Sequence, residues 1–173
     1  MKKIITLLAV VGIFSLQGCT TTSTNPVDND TVPQAFEIKN VNMTKVNNNS
    51  YSFYMKFIDS KLKGNLFDSE TILVYRLAGT LDSNTPIWRL IPRTIYLDNG
   101  DELDYDFDFS KEDFTIYANG TYSLSLTPEY INGQTFRIVV LPSNLIGSID
   151  KNNYFQAMNV LKINESQIQK INF

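Results

Sequence analysis

Strict alternation of apolar and acidic residues is the feature that most restricts how this chain can fold. Residues 103–109 read Leu-Asp-Tyr-Asp-Phe-Asp-Phe, so every second side chain is large and apolar. Successive side chains of a β-strand point to opposite faces, whereas an α-helix brings residues three and four apart onto one face. The segment can therefore bury an apolar face only as a strand.

Similar signals recur along the chain at short spacing. Residues 51–57 alternate in the same way, and the cluster Asn47-Asn48-Asn49-Ser50 predicts a turn that joins them to an earlier strand at 36–46. The apolar runs 71–77 and 135–141 are typical of strands buried on both faces. Further strands are predicted at 87–97, interrupted by Pro92, and at 114–117, 121–126, 160–163 and 168–173, with a helical turn within 150–158.

This pattern predicts an all-β fold, a single antiparallel β-sandwich of about eight to ten strands with an immunoglobulin-like architecture. The sandwich is expected to occupy residues 34–173. Residues 20–33 are polar, lack periodicity and contain two prolines, which is typical of a flexible linker.

The N-terminal segment has the pattern of an export signal. Lys2 and Lys3 precede thirteen mostly apolar residues, a run too short to span a bilayer as a helix. Its end, Leu16-Gln17-Gly18-Cys19, resembles the lipobox of bacterial lipoproteins. That resemblance implies a cleaved signal peptide at 1–18 and acylation of Cys19, which begins the linker 19–33. An ordinary signal peptide with a cysteine beside its cleavage site is the alternative.

The acyl chains on Cys19 would tether the protein to a membrane. By resemblance to enterobacterial lipoproteins, Thr20 after the cysteine favours the outer membrane, with the exposed side left open. Asp30-Thr31-Val32 resembles the O-glycosylation motif of Bacteroidota, which makes Thr31 a candidate glycosylation site.

Composition narrows the chemistry. Without Lys2 and Lys3, thirteen basic residues face eighteen acidic ones, a net charge of −5, and no basic cluster predicts a nucleic-acid partner. The absence of histidine removes the commonest general base and metal ligand. Acylation of the one cysteine would remove thiol catalysis and disulfides. We therefore expect no enzyme activity.

Several blocks resemble uncharacterised lipoproteins of flavobacteria and related Bacteroidota. They are, in order, QAFEI (34–38), ILVYRL (72–77), IWRLIP (87–92), YDFDFSKEDFTI (105–116) and FRIVVLP (136–142). The resemblance implies an exported, lipid-anchored β-domain and no particular activity. Some of those relatives carry a Gly-Pro-rich run after the cysteine, which this chain replaces with TTTSTNPVDNDTV.

One acidic segment is a candidate metal site. Asp104, Asp106 and Asp108 share one strand face at about 6.5 to 7 Å spacing, and Asp98 and Asp101 lie in the preceding turn. Carboxylates are Ca²⁺ ligands, but the spacing does not follow an EF-hand loop. The alternative is a solvated face whose charges oppose aggregation. Cross-strand partners are then expected among the arginines 76, 89, 93 and 137.

Other residue types indicate further candidate roles. Paired carboxylates could also form a glycosidase site, and Trp88 with nearby tyrosines could stack on a sugar. The first expectation is a structural or accessory binding role, with another envelope protein or a glycan as partner. A carbohydrate- or Ca²⁺-binding surface module is the alternative.

Overall fold

The computed structural model of the chain describes residues 32–60, 64–82 and 85–173. These residues form ten strands and one short α-helix. The elements are β1 (Gln34–Val41), β2 (Thr44–Lys45), β3 (Ser50–Lys56), β4 (Glu70–Leu81), β5 (Thr85–Ile91), β6 (Arg93–Tyr96), β7 (Glu102–Phe109), β8 (Asp113–Gly120), β9 (Gln134–Pro142), α1 (Tyr154–Val160) and β10 (Gln169–Asn172).

The strands form two five-stranded sheets. The first has the order β10-β1-β9-β4-β5 and the second β2-β3-β8-β7-β6. Apolar residues from both sheets form one buried cluster, which includes Phe36, Ile138, Phe114 and Tyr105. The predicted all-β sandwich of eight to ten strands is therefore confirmed, and the immunoglobulin-like arrangement stays a prediction.

One strand pair departs from the expected antiparallel arrangement. β10 runs parallel to β1, with Phe36 opposite Gln169, whereas the other pairs are antiparallel in the described part of the chain. A parallel neighbour requires a long crossover connection. Here the connection from β1 to β10 contains the other eight strands and α1.

A second apolar cluster covers the outer face of the first sheet. Tyr75, Trp88 and Val139 from the sheet pack against Tyr154 and Met158 of α1. β9 consequently lies between two apolar layers, and its residues 134–141 are all buried. This double coverage explains why the run 135–141 is continuously apolar rather than alternating.

Three strand predictions are wrong, one in part and two entirely. Residues 36–46 do not form one strand, since β1 belongs to the first sheet and only Thr44–Lys45 pairs with β3 as a hairpin. Residues 121–126 are not a strand, because the chain turns over the end of the sandwich there and forms a 3₁₀ turn at Leu124–Leu126. Of residues 160–163, Val160 ends α1 and the next three follow the helix instead of pairing in a sheet.

The chain changes sheets at Pro92. β5 is an edge strand of the first sheet and β6 is an edge strand of the second, and only Pro92 separates them. The predicted interruption of the 87–97 segment is thus confirmed. Both strands border the same open side of the sandwich. Among the described helices, none has the length and apolarity needed to cross a membrane.

Candidate functional site: an arginine cleft at the sandwich edge

A cleft of about 330 Å³ lies where the chain passes from β5 to β6. We call it the arginine cleft, because Arg76, Arg89 and Arg93 line it. Its other walls include Ile91, Ile95, Tyr96 and Tyr105. Ile91 and Tyr105 are core residues, 2% and 1% exposed, whereas Tyr96 is 75% exposed. The cleft therefore runs from solvent to the edge of the apolar core.

Strand register explains why three arginines meet here. Arg76 follows Ile72 and Val74 on the β4 face that packs between the sheets, and Arg89 of β5 lies directly opposite it. Arg93 of β6 lies opposite the buried Tyr105. All three residues thus belong to inward faces, at the side where the two sheets leave the core open.

Arg76 is held in a fixed orientation. Its Nε donates a hydrogen bond of 2.8 Å to Gln134 Oε1. Gln134 Nε2 in turn donates to the backbone carbonyls of Glu129 and Asn132, at 2.7 and 2.8 Å. The guanidinium carbon lies 4.5 Å from the Tyr105 ring centroid, in cation–π range. Backbone, amide and ring together fix the guanidinium plane.

Tyr105 is equally constrained. Its hydroxyl donates a 2.5 Å hydrogen bond to the carbonyl of Tyr130. Burial raises the pKa of the Tyr105 phenol well above its ordinary value, and the positive charge of Arg76 opposes that rise. The phenol therefore stays protonated at neutral pH, so its hydroxyl remains a neutral donor to the Tyr130 carbonyl.

The charge balance of the cleft is unusual for buried arginine. Arg76 is 8% exposed, yet it forms no salt bridge with a carboxylate in the described part of the chain. Apart from the hydrogen bond of Nε to Gln134 and the interaction with the Tyr105 phenol, its guanidinium has no hydrogen-bond partner there. Arg89, opposite Arg76 on the neighbouring strand, carries a like charge, an arrangement that is destabilising by itself. Chemically, the site offers positive charge and guanidinium donors beside apolar walls.

The predicted acidic site lies on the opposite face of the second sheet. Asp104 accepts from Asn119 at 3.3 Å, Asp108 accepts from the Tyr117 hydroxyl at 2.8 Å, and Asp106 accepts from the backbone N–H of Phe107. The hydrogen bond to Asp108 raises the pKa of Tyr117. In residues 32–60, 64–82 and 85–173, no three acidic side chains are placed to hold a metal ion.

The expected arginine partners of these aspartates are wrong. Asp104 lies opposite Thr94, while Arg93 lies opposite Tyr105, so the arginine and the aspartate occupy opposite faces. Tyrosine and asparagine side chains of β8 take the place of the expected cations at Asp108 and Asp104.

Asp98 and Asp101 lie in the predicted turn between β6 and β7. Gly100 has a φ of 86°, the left-handed conformation that such a turn requires. Asn99 Nδ2 donates to Asp101 Oδ2 at 2.7 Å, and Leu97 N donates to the carbonyl of Asp101 at 2.9 Å. These contacts close a hairpin turn and do not direct the carboxylates towards Asp104.

Trp88, the candidate sugar-stacking residue, is not exposed. It is 8% exposed, and its ring stacks on Arg137, whose guanidinium carbon lies 4.2 Å from the ring centroid. Arg137 pairs with the buried Glu37 across β1 and β9, and with Glu165 at 2.6 Å. Tyr154 completes this group, with its ring centroid 5.4 Å from that of Trp88. The group attaches the C-terminal segment to the first sheet.

Cys19 and Thr31, the predicted lipidation and glycosylation sites, lie outside the described residues. The arginine cleft itself was missed by the sequence interpretation. Its signal is Arg76, which continues the alternation of Ile72 and Val74 at a position where another apolar side chain is expected.

Comparison with known proteins adds no relative to this description. No protein-family model matches the chain, and neither a curated protein nor a solved structure matches it.

Proposed function

We propose that this protein is a lipid-anchored envelope protein with an accessory binding role and no catalytic activity. In this proposal, acyl chains on Cys19 attach it to the outer membrane, residues 19–33 act as the linker, and the β-sandwich presents the arginine cleft as its binding surface. The proposal extends the resemblance of residues 16–19 to a lipobox and of several strands to Bacteroidota lipoproteins.

The observation that carries the binding role is the state of Arg76. Removing a guanidinium from water costs several kcal/mol unless a carboxylate and further hydrogen bonds offset it. Arg76 is 8% exposed and is held by Gln134 and the Tyr105 phenol, with no ion-pair partner among the described residues. A residue that reduces stability in the free protein is expected where a ligand supplies the missing interaction.

A crosslinking experiment tests whether the cleft is the binding surface. Tyr96 at its mouth is replaced by a photoreactive phenylalanine analogue in the full-length, lipidated protein, which is illuminated in cells. Tyr54 is the matched control, because it is also an exposed strand tyrosine of the second sheet, 54% against 75%, but lies on β3 and does not line the cleft. Intact-mass spectrometry then detects small-molecule and protein adducts alike.

We expect a discrete adduct at position 96 that is lost when Arg76→Met is added, and no matching adduct at position 54. Equal labelling at both positions, or none at position 96, would contradict the cleft as a binding surface.

The anchor is tested separately with Cys19→Ala. The wild-type protein is expected to incorporate radiolabelled palmitate and to sediment with outer membranes, and the variant to do neither. Membrane association that is unchanged in the variant argues against the lipid anchor.

A further inference from the structure

We propose that the arginine cleft binds the oxyanion group of a small organic molecule, namely a carboxylate, sulfate or phosphate. This inference rests on the proposed binding role and names the ligand chemistry of the same site. It begins from the donor groups that Arg76 leaves free. The hydrogen bond to Gln134 uses only Nε, and the Tyr105 phenol is the other polar group beside the guanidinium, so Nη hydrogens remain to donate to a ligand.

The geometry of Arg76 suits a planar or tetrahedral oxyanion. A guanidinium presents parallel N–H donors that match two oxygens of one group, and a fixed guanidinium loses less conformational entropy on binding. Gln134 and the ring of Tyr105 supply that fixation before any ligand arrives. The cleft is thus organised for an anion in its free state.

The surrounding charge also favours an anion. Arg89 and Arg93 lie at exposed positions of the same cleft, and no aspartate or glutamate is among its described lining residues. A local excess of positive charge in a protein whose overall charge is negative concentrates anions at this one edge. An anion between Arg76 and Arg89 would relieve the repulsion of the opposed pair.

Size and apolarity define the rest of the ligand. A volume of about 330 Å³ is at the lower end of the range for small-molecule sites. Ile91 and Ile95 give one wall apolar character, and Tyr96 lies at the mouth. A ligand with an oxyanion at one end and an apolar body of a few atoms at the other therefore fits both halves of the cleft.

The test is calorimetric titration of the mature lipidated protein in detergent with acetate, benzoate, sulfate and phosphate. Chloride keeps the ionic strength constant, so that screening does not imitate binding. Arg76→Met removes the charge, and Arg76→Lys keeps the charge but loses the paired donors. Lys45→Gln is the matched control, because it removes one exposed positive charge on β2, away from the cleft.

We expect saturable one-site binding of at least one of these oxyanions, with benzoate tighter than acetate if a carboxylate is the preferred group. Arg76→Met should weaken binding at least about tenfold, since hydrogen bonds to charged groups are each worth that much or more. Arg76→Lys should weaken it too, and Lys45→Gln should leave it unchanged. If Arg76→Met fails to fold, Arg89→Gln, at an exposed position, should still weaken binding severalfold.

The proposal is overturned if none of the four anions binds saturably at millimolar concentration, or if Arg76→Met and Lys45→Gln bind equally well. This failure is distinct from failure of the proposed function. An adduct at Tyr96 without anion binding would retain the binding role and reject only the oxyanion. Absence of that adduct rejects the binding surface itself.

Discussion

Two buried arginines have opposite surroundings, and the contrast separates structure from function at the scale of the residue. Arg137 is 3% exposed and contacts Glu37 and Glu165, whereas Arg76 has an amide and two tyrosine rings as partners. Removing one partner of a buried ion pair is strongly destabilising, because the other charge is left buried without compensation. A buried charge that has no ion-pair partner lowers stability even in the intact protein. The first arginine is therefore a structural residue and the second a candidate ligand-binding residue.

Replacing Arg137 is expected to be severe. Arg137→Met leaves the Glu37 carboxylate buried, with Lys39 Nζ at 4.0 Å as its remaining cation, and should lower the free energy of unfolding by about 3–5 kcal/mol. Glu165→Gln removes a carboxylate whose side chain is 62% exposed and should cost about 1 kcal/mol or less. Urea unfolding of both variants measures the difference. Similar losses in the two would show that Glu37 does not depend on Arg137.

The contact between Glu165 and Arg137 predicts that the protein becomes less stable in acid. Burial tends to raise the pKa of Glu165, but the hydrogen bond and positive charge of Arg137 outweigh it and hold that pKa below its ordinary value of 4.5. A lowered folded-state pKa means that the stabilisation is present above the unfolded-state pKa and is lost as the pH falls through the folded-state pKa. Stability should thus decrease as the pH falls below about 4.5.

Urea unfolding at a series of pH values, from about pH 7 to below about pH 4, checks this prediction. Glu165→Gln should lose less stability on acidification than the wild type. Glu129→Gln, which removes an exposed carboxylate from another part of the surface, should lose as much as the wild type. An acid loss in Glu165→Gln equal to that of the wild type would contradict the assignment.

At the scale of elements, the end of β8 is closely packed. A Cβ on Gly120 would lie 2.6 Å from Leu124 Cδ2 and 3.3 Å from the carbonyl of Tyr122, and Leu124 is fully buried. Gly120→Ala should therefore destabilise the protein by about 1–3 kcal/mol through overpacking. Gly79 is the matched control in β4, since a Cβ there meets nothing within 4 Å.

Gly79→Ala should be neutral or stabilise by up to about 1 kcal/mol, because alanine restricts the unfolded chain more than glycine does. Thermal unfolding of the two variants compares them directly. Equal melting temperatures would mean that Leu124 moves aside without cost.

Element prediction from the sequence succeeded where alternation or continuous apolarity was long, as in β7 and β9. It failed at residues 121–126, where Leu124 and Leu126 are spaced as in a strand but are 0% and 75% exposed. In the sequence alone, this spacing looks the same in a strand and in a turn. The turn is fixed by hydrogen bonds to distant residues, since Leu124 N donates to the carbonyl of Asn48 and Gly120 N donates to the carbonyl of Asn49. Such contacts between distant residues are not encoded in local pattern.

The site was less predictable than the fold for a related reason. The arginines at 76, 89 and 93 were identified from the sequence, but assigning them to aspartates required the register between β6 and β7. A shift of one residue exchanges the faces of a strand. The observed register places Arg93 opposite Tyr105, so the arginines face inward to form the cleft.

At the scale of the whole molecule, coverage differs greatly between strands. β9 is central and buried throughout residues 134–141, whereas β6 is a four-residue edge strand with exposed and half-buried residues. Local opening requires little loss of apolar contact at an edge and nearly all of it at the centre.

Amide hydrogen exchange should therefore separate the two strands. The opening free energy of amides in β9 is expected to approach the global free energy of unfolding. Amides of β6 should exchange through local opening, with an opening free energy several times smaller. A β6 that exchanges as slowly as β9 would contradict this prediction and indicate that the sandwich opens only as one unit.

The position of β9 in the chain sets the order in which the first sheet can be completed. β1 pairs with residues 134–140 on one side and with 169–172 on the other, so its nearest partner is about a hundred residues away. A chain that emerges N-terminus first must hold β1 unpaired until residue 142 is available. Unpaired apolar strands associate readily with other chains. Residues 34–41 therefore lack their native strand partners for most of the synthesis of the chain.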